Sequence, residues 1–146
     1  MLKGIDSLIN PDLLSVLARM GHGDEIVVSD ANFPSASVAA RTMVGRELHL
    51  SCDAVRALRA ILSLLPLDAH EPNPVTTMLV VDDPDALPEP VAEAMPILAV
   101  EGVVPSGLER FAFYARAQTA FAVVRTSDTR PYGNFILRKG VISKTP

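Results

Sequence analysis

A histidine between two glycines, His22 in Met20-Gly21-His22-Gly23-Asp24, is the first point in this chain where residue types suggest chemistry. The glycines let the backbone approach a ligand closely, and an imidazole, with an ordinary pKa of about 6.5, exchanges protons near neutral pH. The run Ile26-Val27-Val28 then leads to Asp30, at the carboxyl end of a strand, where α/β folds place their ligands. Arg110 and Tyr114 stand four apart, so on a helix they are neighbours, a permanent cation beside a phenol that could grip a hydroxylated ligand. Tyr132-Gly133-Asn134 sets hydrogen-bonding side chains on both sides of a glycine. Each also has a plain structural reading: Gly21 as a helix stop, His22 as a solvated loop residue, Asp30 as the opening of a turn, and Arg110 as a solvated arginine lying over a tyrosine. Asp24 reads as a cap or brace of the loop.

The elements that must position these groups are legible in outline. Asn10-Pro11-Asp12 opens a helix with a capping side chain, a proline at the first position and an acid in the first turn, and Leu13, Leu14, Leu17 and Met20 form its apolar stripe, with Val16 beside it. Ile26-Val27-Val28 reads as a buried strand. Asn32 to Ser37 is turn-rich, and Pro34 biases Phe33 away from helix. A short strand is expected around Glu47–Leu50. It is followed by a helix capped by Ser51 or Asp53, carrying Val55, Leu58, Ile61, Leu62 and Leu65 and stopped by Pro66. Leu67 to Pro74 forms a polar loop and Thr76–Val81 a strand; Asp82-Asp83-Pro84-Asp85 makes a turn. Pro88–Met95 reads as a short helix and Ile97–Val100 as another strand. A last long helix is expected over Leu108–Thr119, with Leu108, Phe111, Ala112 and Ala115 as its core face. Two late strands, Ala120–Val124 and Phe135–Leu137, are joined by a turn and suggest a hairpin. Alternation of strands and helices predicts a layered α/β domain, and the hairpin predicts a mixed sheet.

Composition bounds the function. At 146 residues the chain fits a single domain, 1–146, with a sizeable core. Nearly half the residues are apolar and the mean hydropathy is positive, more than a small monomer needs, which points to surface buried between subunits. A net charge of -4 without basic runs, together with few aromatic residues, argues against a nucleic-acid partner. Cys52, the one cysteine, precludes an internal disulfide, fits a reducing cytoplasm and reads as a buried filler. No secretory leader, membrane-length apolar run or glycine-rich phosphate loop is evident. His49 reads as a surface or interface residue.

Several stretches together resemble the bacterial L-fucose mutarotase family, which is related to the D-ribose pyranases. They are Met1-Leu2-Lys3-Gly4-Ile5, Leu13-Leu14, Met20 to Val27, Asp30-Ala31-Asn32-Phe33-Pro34, Leu64-Leu65-Pro66-Leu67-Asp68, Arg110 to Gln118 and Tyr132 to Ile142. The segment Val38–Pro105 resembles the family only loosely outside the Leu64–Asp68 stretch. The resemblance implies a three-layer α/β/α single domain with a mixed sheet, a ring-like homo-oligomer with a decamer among its expected forms, and interconversion of sugar anomers without cofactor or metal. It implies that His22 is the catalytic proton donor. It places substrate-binding roles on Asp30, Arg110, Tyr132, Gly133 and Asn134, with Tyr114 as a further position. The partner is then a monosaccharide, L-fucose or a similar pyranose, and the setting is cytoplasmic, away from membranes and nucleic acids.

The chemistry suits these residue types. Mutarotation removes the anomeric hydroxyl proton, protonates the ring oxygen and recloses the aldehyde from its other face, so proton transfer is needed in both directions. Asp30 could accept from sugar hydroxyls or orient His22, while Arg110 and Asn134 could fix the ring. Phe33 is a candidate apolar patch for the fucose methyl group. Two details lean toward fucose over ribose: Asn32-Phe33-Pro34 after the aspartate, and Gly133 where ribose pyranases more often carry alanine. The competing readings are a D-ribose pyranase, a non-catalytic sugar-binding or transport accessory protein, and, with least support, a metal hydrolase built on His22, Asp24 and Asp30.

Overall fold

The computed structural model describes residues 1–143. Six strands form one mixed sheet in the order β2-β5-β1-β6-β3-β4, flanked by helices on both faces. The strands are β1 (Glu25–Ser29), β2 (Leu48–Leu50), β3 (Val75–Met78), β4 (Ser106–Leu108), β5 (Ala122–Thr126) and β6 (Phe135–Arg138), and the helices are α1 (Pro11–Arg19), α2 (Ser35–Ala39), α3 (Ala54–Leu62), α4 (Glu89–Val100) and α5 (Arg110–Ala117).

Side chains alternate across a strand, and β1 uses both directions. Ile26 and Val28 point into one core with Leu13, Val16 and Leu17 of α1, Val55, Leu58 and Ile61 of α3, and Val91, Ala94 and Leu98 of α4. Val27 points into the other, with Phe33, Val38 of α2, Phe113 and Ala117 of α5, Val123 and Ile136. These two apolar layers make the three-layer α/β/α domain. The central strands are buried on both faces, which is why they read as apolar runs rather than alternating ones.

The mixed sheet arises differently from the expected hairpin. β5 runs parallel to β1 and β2, whereas β6 runs antiparallel to β1 and β3, so the two late strands flank β1 and never pair. Their connection therefore crosses the carboxyl end of β1, where Asp30 stands.

Three further expectations are corrected. Ile97–Val100 is helical: α4 runs on through Pro96, and Leu98 continues the buried series Val91, Ala94. A four-residue apolar run has no period to separate a strand from a buried helical turn. The stretch expected as one helix from Leu108 splits into β4, which pairs with β3, and α5 behind a Glu109 cap. Because Leu108 belongs to the strand, the helical phase counted from it is wrong: Phe113 and Ala117 face the core, while Phe111, Ala112 and Ala115 face outward. Finally, Ser35–Ala39, inside and beyond the turn-rich stretch, forms the short helix α2.

Candidate functional site

At the carboxyl end of β1, Asp30 is almost wholly enclosed and uses both oxygens. Oδ1 accepts from the amides of Asn32 (3.0 Å) and Phe33 (2.8 Å), the local turn by which an aspartate bends the chain after a strand. Oδ2 accepts from the Gly133 amide (3.1 Å) and Asn134 Nδ2 (3.2 Å), while Asn134 Oδ1 accepts from the Asp30 amide (3.0 Å). Burial pushes the Asp30 carboxyl above its ordinary value, against the pull of these four donors.

The Tyr132-Gly133-Asn134 segment reaches Asp30 because the β5–β6 connection passes over β1. The left-handed backbone conformation falls on Tyr132 (φ 61°) and not on Gly133, an uncommon position for a bulky residue. That turn aims the Gly133 amide at Asp30 and sends the Tyr132 phenol outward, where its oxygen accepts from the Val81 amide (3.1 Å). The phenolic hydrogen itself has no acceptor among the described residues. A methyl group on Gly133 would meet Pro90, Ala54 and Asp30 at 3.4–3.5 Å, ordinary contact, so what this residue contributes is its amide.

Arg110 opens α5 on the same side of the sheet. β3 and β4 end there, since Thr77 stands opposite Phe135 and Met78 opposite Leu108. Its guanidinium lies over the Phe111 ring at 4.6 Å, and its Nε is enclosed with no hydrogen-bond partner among the described residues. A hollow of about 290 Å³ is lined by Arg110, Glu109, Leu79, Val80, Val81, Asp82 and Pro84. Tyr114, one turn on, packs edge-on against Phe33 at 5.5 Å. Phe33 itself is 6% exposed and packs against Phe113, so it serves the core and does not offer an open apolar patch. Leu79, Val80, Val81 and Pro84 line the hollow beside Arg110.

His22 stands at the other end of β1. Its partner is Asp68, a residue not singled out for a role from the sequence: His22 Nε2 lies 3.1 Å from Asp68 Oδ2, with the imidazole half exposed and the carboxylate enclosed. The idea that Asp30 orients His22 is therefore corrected, and Asp68 has that place. Arg138, also unassigned from the sequence, donates from Nε to the same Oδ2 at 3.1 Å. The signal for both lay in the Pro66-Leu67-Asp68 and Leu137-Arg138-Lys139-Gly140 stretches, but only pairing joins them.

The end of β6 makes that join. Lys139 exchanges backbone bonds with the His22 loop (Gly23 amide to Lys139 oxygen, Lys139 amide to Asp24 oxygen, both 2.8 Å), while the Asp68 amide bonds the Arg138 oxygen and the Gly140 amide bonds the Pro66 oxygen. Gly140 is required there, since a Cβ would fall 2.4 Å from the Leu67 oxygen. Lys139 Nζ bonds the carbonyls of Leu17 and Met20, closing α1 just ahead of His22, and Asp24 Oδ2 braces the loop through the Gly21 amide at 2.7 Å. Burial tends to raise the Asp68 carboxyl, yet the His70 amide, Arg138 and His22 together bring it below its ordinary value.

The site residues thus form two groups. Asp30, Arg110, Tyr114, Tyr132, Gly133 and Asn134 gather at or near the edge of the sheet formed by the carboxyl ends of β1, β3 and β4, and His22 lies at the opposite edge, beyond the amino end of β1, with Asp68 and Arg138. β1 alone separates the two by about 13 Å at roughly 3.3 Å per residue, so His22, Asp24 and Asp30 do not converge within one chain. His49 is exposed and Cys52 partly buried, both apart from the two groups, while the exposed His70 meets the His22 group through its backbone amide alone.

A three-layer α/β domain with polar groups gathered beyond the strand ends is the build of a small-ligand protein. The chain belongs to the RbsD / FucU transport protein family, whose model matches residues 3–142. It is 45% identical over 153 residues to the fucose mutarotase of Homo sapiens, covering 99% of this chain and 97% of that protein. The identity to the fucose mutarotase of Danio rerio is 44%, with 97% and 95% covered. Among solved structures, the fucose mutarotase from Streptococcus pneumoniae in complex with L-fucose superposes with a TM-score of 0.84 at 38% identity, covering 97% of this chain and 100% of that one. Bacillus subtilis RbsD complexed with D-ribose shares the fold, with a TM-score of 0.74 at 24% identity and 98% and 100% covered.

Proposed function

We propose that this chain is an isomerase, a cofactor-free mutarotase that interconverts the α and β anomers of L-fucose, acting as a cytoplasmic ring-like homo-oligomer. Support comes from the full-length similarity to fucose mutarotases and from a half-exposed imidazole backed by an enclosed carboxylate. His22, with Asp68 behind it, is the proton donor to the ring oxygen. The anomeric hydroxyl proton is withdrawn, the bond between C1 and the ring oxygen breaks, and C1 becomes the open-chain aldehyde. After rotation about the C1–C2 bond, the hydroxyl that was the ring oxygen attacks the other face and gives its proton back to His22, while the former carbonyl oxygen regains the proton first withdrawn, restoring the hemiacetal with no net consumption of protons.

At the opposite edge, the Tyr132 phenolic hydrogen and the Arg110 guanidinium are the groups available to sugar oxygens. Asp30 with its four donors holds the Tyr132–Asn134 segment that presents them. Leu79, Val81 and Pro84 offer an apolar wall suited to a methyl group.

The observation that carries the assembly is the separation along β1. A sugar gripped at Arg110 and Tyr132 cannot reach the His22 of the same chain, so the productive site pairs His22 of one copy with the Arg110 edge of the next. Head-to-tail contact of two unlike surfaces gives a ring when the rotation from copy to copy closes on itself. Exposed Phe111 (65%), Val104 (74%) and Val100 (86%) supply apolar surface for such contacts.

Two-dimensional NMR exchange spectroscopy on L-fucose tests the reading. Wild type speeds exchange between the two anomer signals; binding without faster exchange would leave a sugar-binding protein instead. Arg110→Ala and His22→Ala chains, each inactive alone, regain about a quarter of wild-type activity when unfolded and reassembled as an equal mixture, the chance that both halves of a site are intact. Failure to recover any activity from correctly assembled mixtures would place the site within one chain.

A further inference from the structure

Asp68 Oδ2 serves two donors at once, His22 Nε2 and Arg138 Nε, each at 3.1 Å. We propose that Arg138 is a positioning residue for His22: it pins the shared Asp68 carboxylate and limits how firmly that carboxylate can hold a proton on the imidazole.

Three observations build the arrangement. Asp68 is fixed from the other side as well, since Oδ1 accepts the His70 amide at 3.1 Å, so Oδ2 is the oxygen left for both donors. Arg138 stands opposite Glu25 in the β1–β6 ladder and is held as firmly as the sheet itself. Gly23, in the left-handed region at φ 85°, leaves room for the guanidinium directly beside the His22 loop, where a Cβ would lie 3.1 Å from Arg138 Nη2.

The electrostatic consequence follows from sharing. A carboxylate facing a histidine alone favours the imidazolium strongly, which makes the histidine a sluggish acid. A permanent guanidinium on the same oxygen draws part of that charge and adds a repulsion of its own toward the imidazolium. The imidazole is thereby kept able to release its proton and to take it back, as a reaction that runs in both directions requires. The other charged groups near this loop are already engaged: Asp24 with the Gly21 amide, Lys139 with the end of α1, and Glu25 with Arg116. His70 meets Asp68 through its backbone amide.

The inference rests on reading His22 as the proton-transferring group, but its test does not need activity. The His22 ring proton is followed by NMR from pH 5 to 9 in wild type, Arg138→Gln and Arg138→Lys, beside the pH profile of L-fucose exchange. Arg138→Gln raises the His22 midpoint by about one unit, a tenfold change in proton affinity, and moves the pH profile by the same amount. Arg138→Lys, which keeps the charge but loses the guanidinium geometry, shifts it by less. In wild type the Arg138 Nε–H resonance moves with the His22 titration, because both bonds end on one oxygen; this readout stands even if the variants do not fold. A His22 midpoint unmoved in a folded Arg138→Gln protein, or an Arg138 Nε–H signal that stays flat while His22 titrates, overturns the proposal. Absence of sugar exchange in wild type, with both shifts present, would instead defeat the mutarotase reading and leave this coupling intact.

Discussion

The two ends of β1 are built on opposite plans. At the carboxyl end, Asp30 is enclosed and saturated: four donors from two chain segments converge on its oxygens, and the carboxylate acts as a fastener for the backbone that presents Tyr132 and Asn134. At the amino end, His22 is half exposed and Asp68 is its polar contact, so the imidazole is aimed yet free to meet a ligand. A carboxylate whose oxygens are all taken by the chain has no face left for a ligand, whereas an imidazole with one side open has. In the proposed function, recognition falls to the first of these edges and proton transfer to the second.

Substitution at each edge should separate rate from stability. His22→Ala is expected to slow L-fucose anomer exchange by about 10²–10⁴-fold, the usual contribution of a positioned acid–base group, while the midpoint of urea unfolding stays close to wild type. Asp30→Ala is expected to act first on stability. It strands the Gly133 and Phe33 amides, and at about 1–3 kcal/mol for each unsatisfied enclosed donor, unfolding should show a loss of about 3 kcal/mol or more. If Asp30→Ala unfolded like wild type, the fastener role would be wrong.

The glycines sharpen the same comparison. Gly140→Ala forces a Cβ against the Leu67 backbone, 2.4 Å from its oxygen, and neither strand nor loop can yield cheaply. A loss of about 2 kcal/mol is expected in chemical denaturation, with reduced exchange activity as Asp68 is displaced from His22. Gly133→Ala meets only ordinary contacts and keeps its amide, so stability should change by less than about 1 kcal/mol, with the affinity for L-fucose nearly retained.

The smallest effect is in acid. Asp68 is held below its ordinary value, so its stabilising contribution is complete above about pH 3.9 and is lost as pH falls through the lower folded value. Asp30 is raised, so its proton binding favours the folded state below about pH 3.9, an advantage lost as pH rises through the folded value. Thermal melting from pH 6 to 2 should therefore show a shallower acid-side loss for Asp68→Asn than for wild type. The Asp30 carboxyl carbon should titrate above, and that of Asp68 below, the ordinary aspartate range in NMR.

Local grammar in the sequence determined much of this protein. The α1 cap and stripe at Asn10, Leu13 and Leu17 and the α3 stripe from Val55 to Ile61 follow directly from short-range geometry and side-chain period. The pattern of His22, Asp30, Arg110 and Tyr132-Gly133-Asn134 was enough to name a family, because motif order survives without any knowledge of distance. The tertiary structure decided what lies next to what. Strand order cannot be read from a linear pattern, so the insertion of β1 between β5 and β6 was hidden, and with it the reason Tyr132–Asn134 reach Asp30. The phase of α5 was hidden too, because Leu108 pairs with Met78 in a strand that local periodicity cannot distinguish from a helical start. The meeting of His22, Asp68 and Arg138 depended on a ladder that brings together residues far apart in sequence. That ladder leaves His22 and Asp30, joined by one short strand, at opposite edges of the sheet.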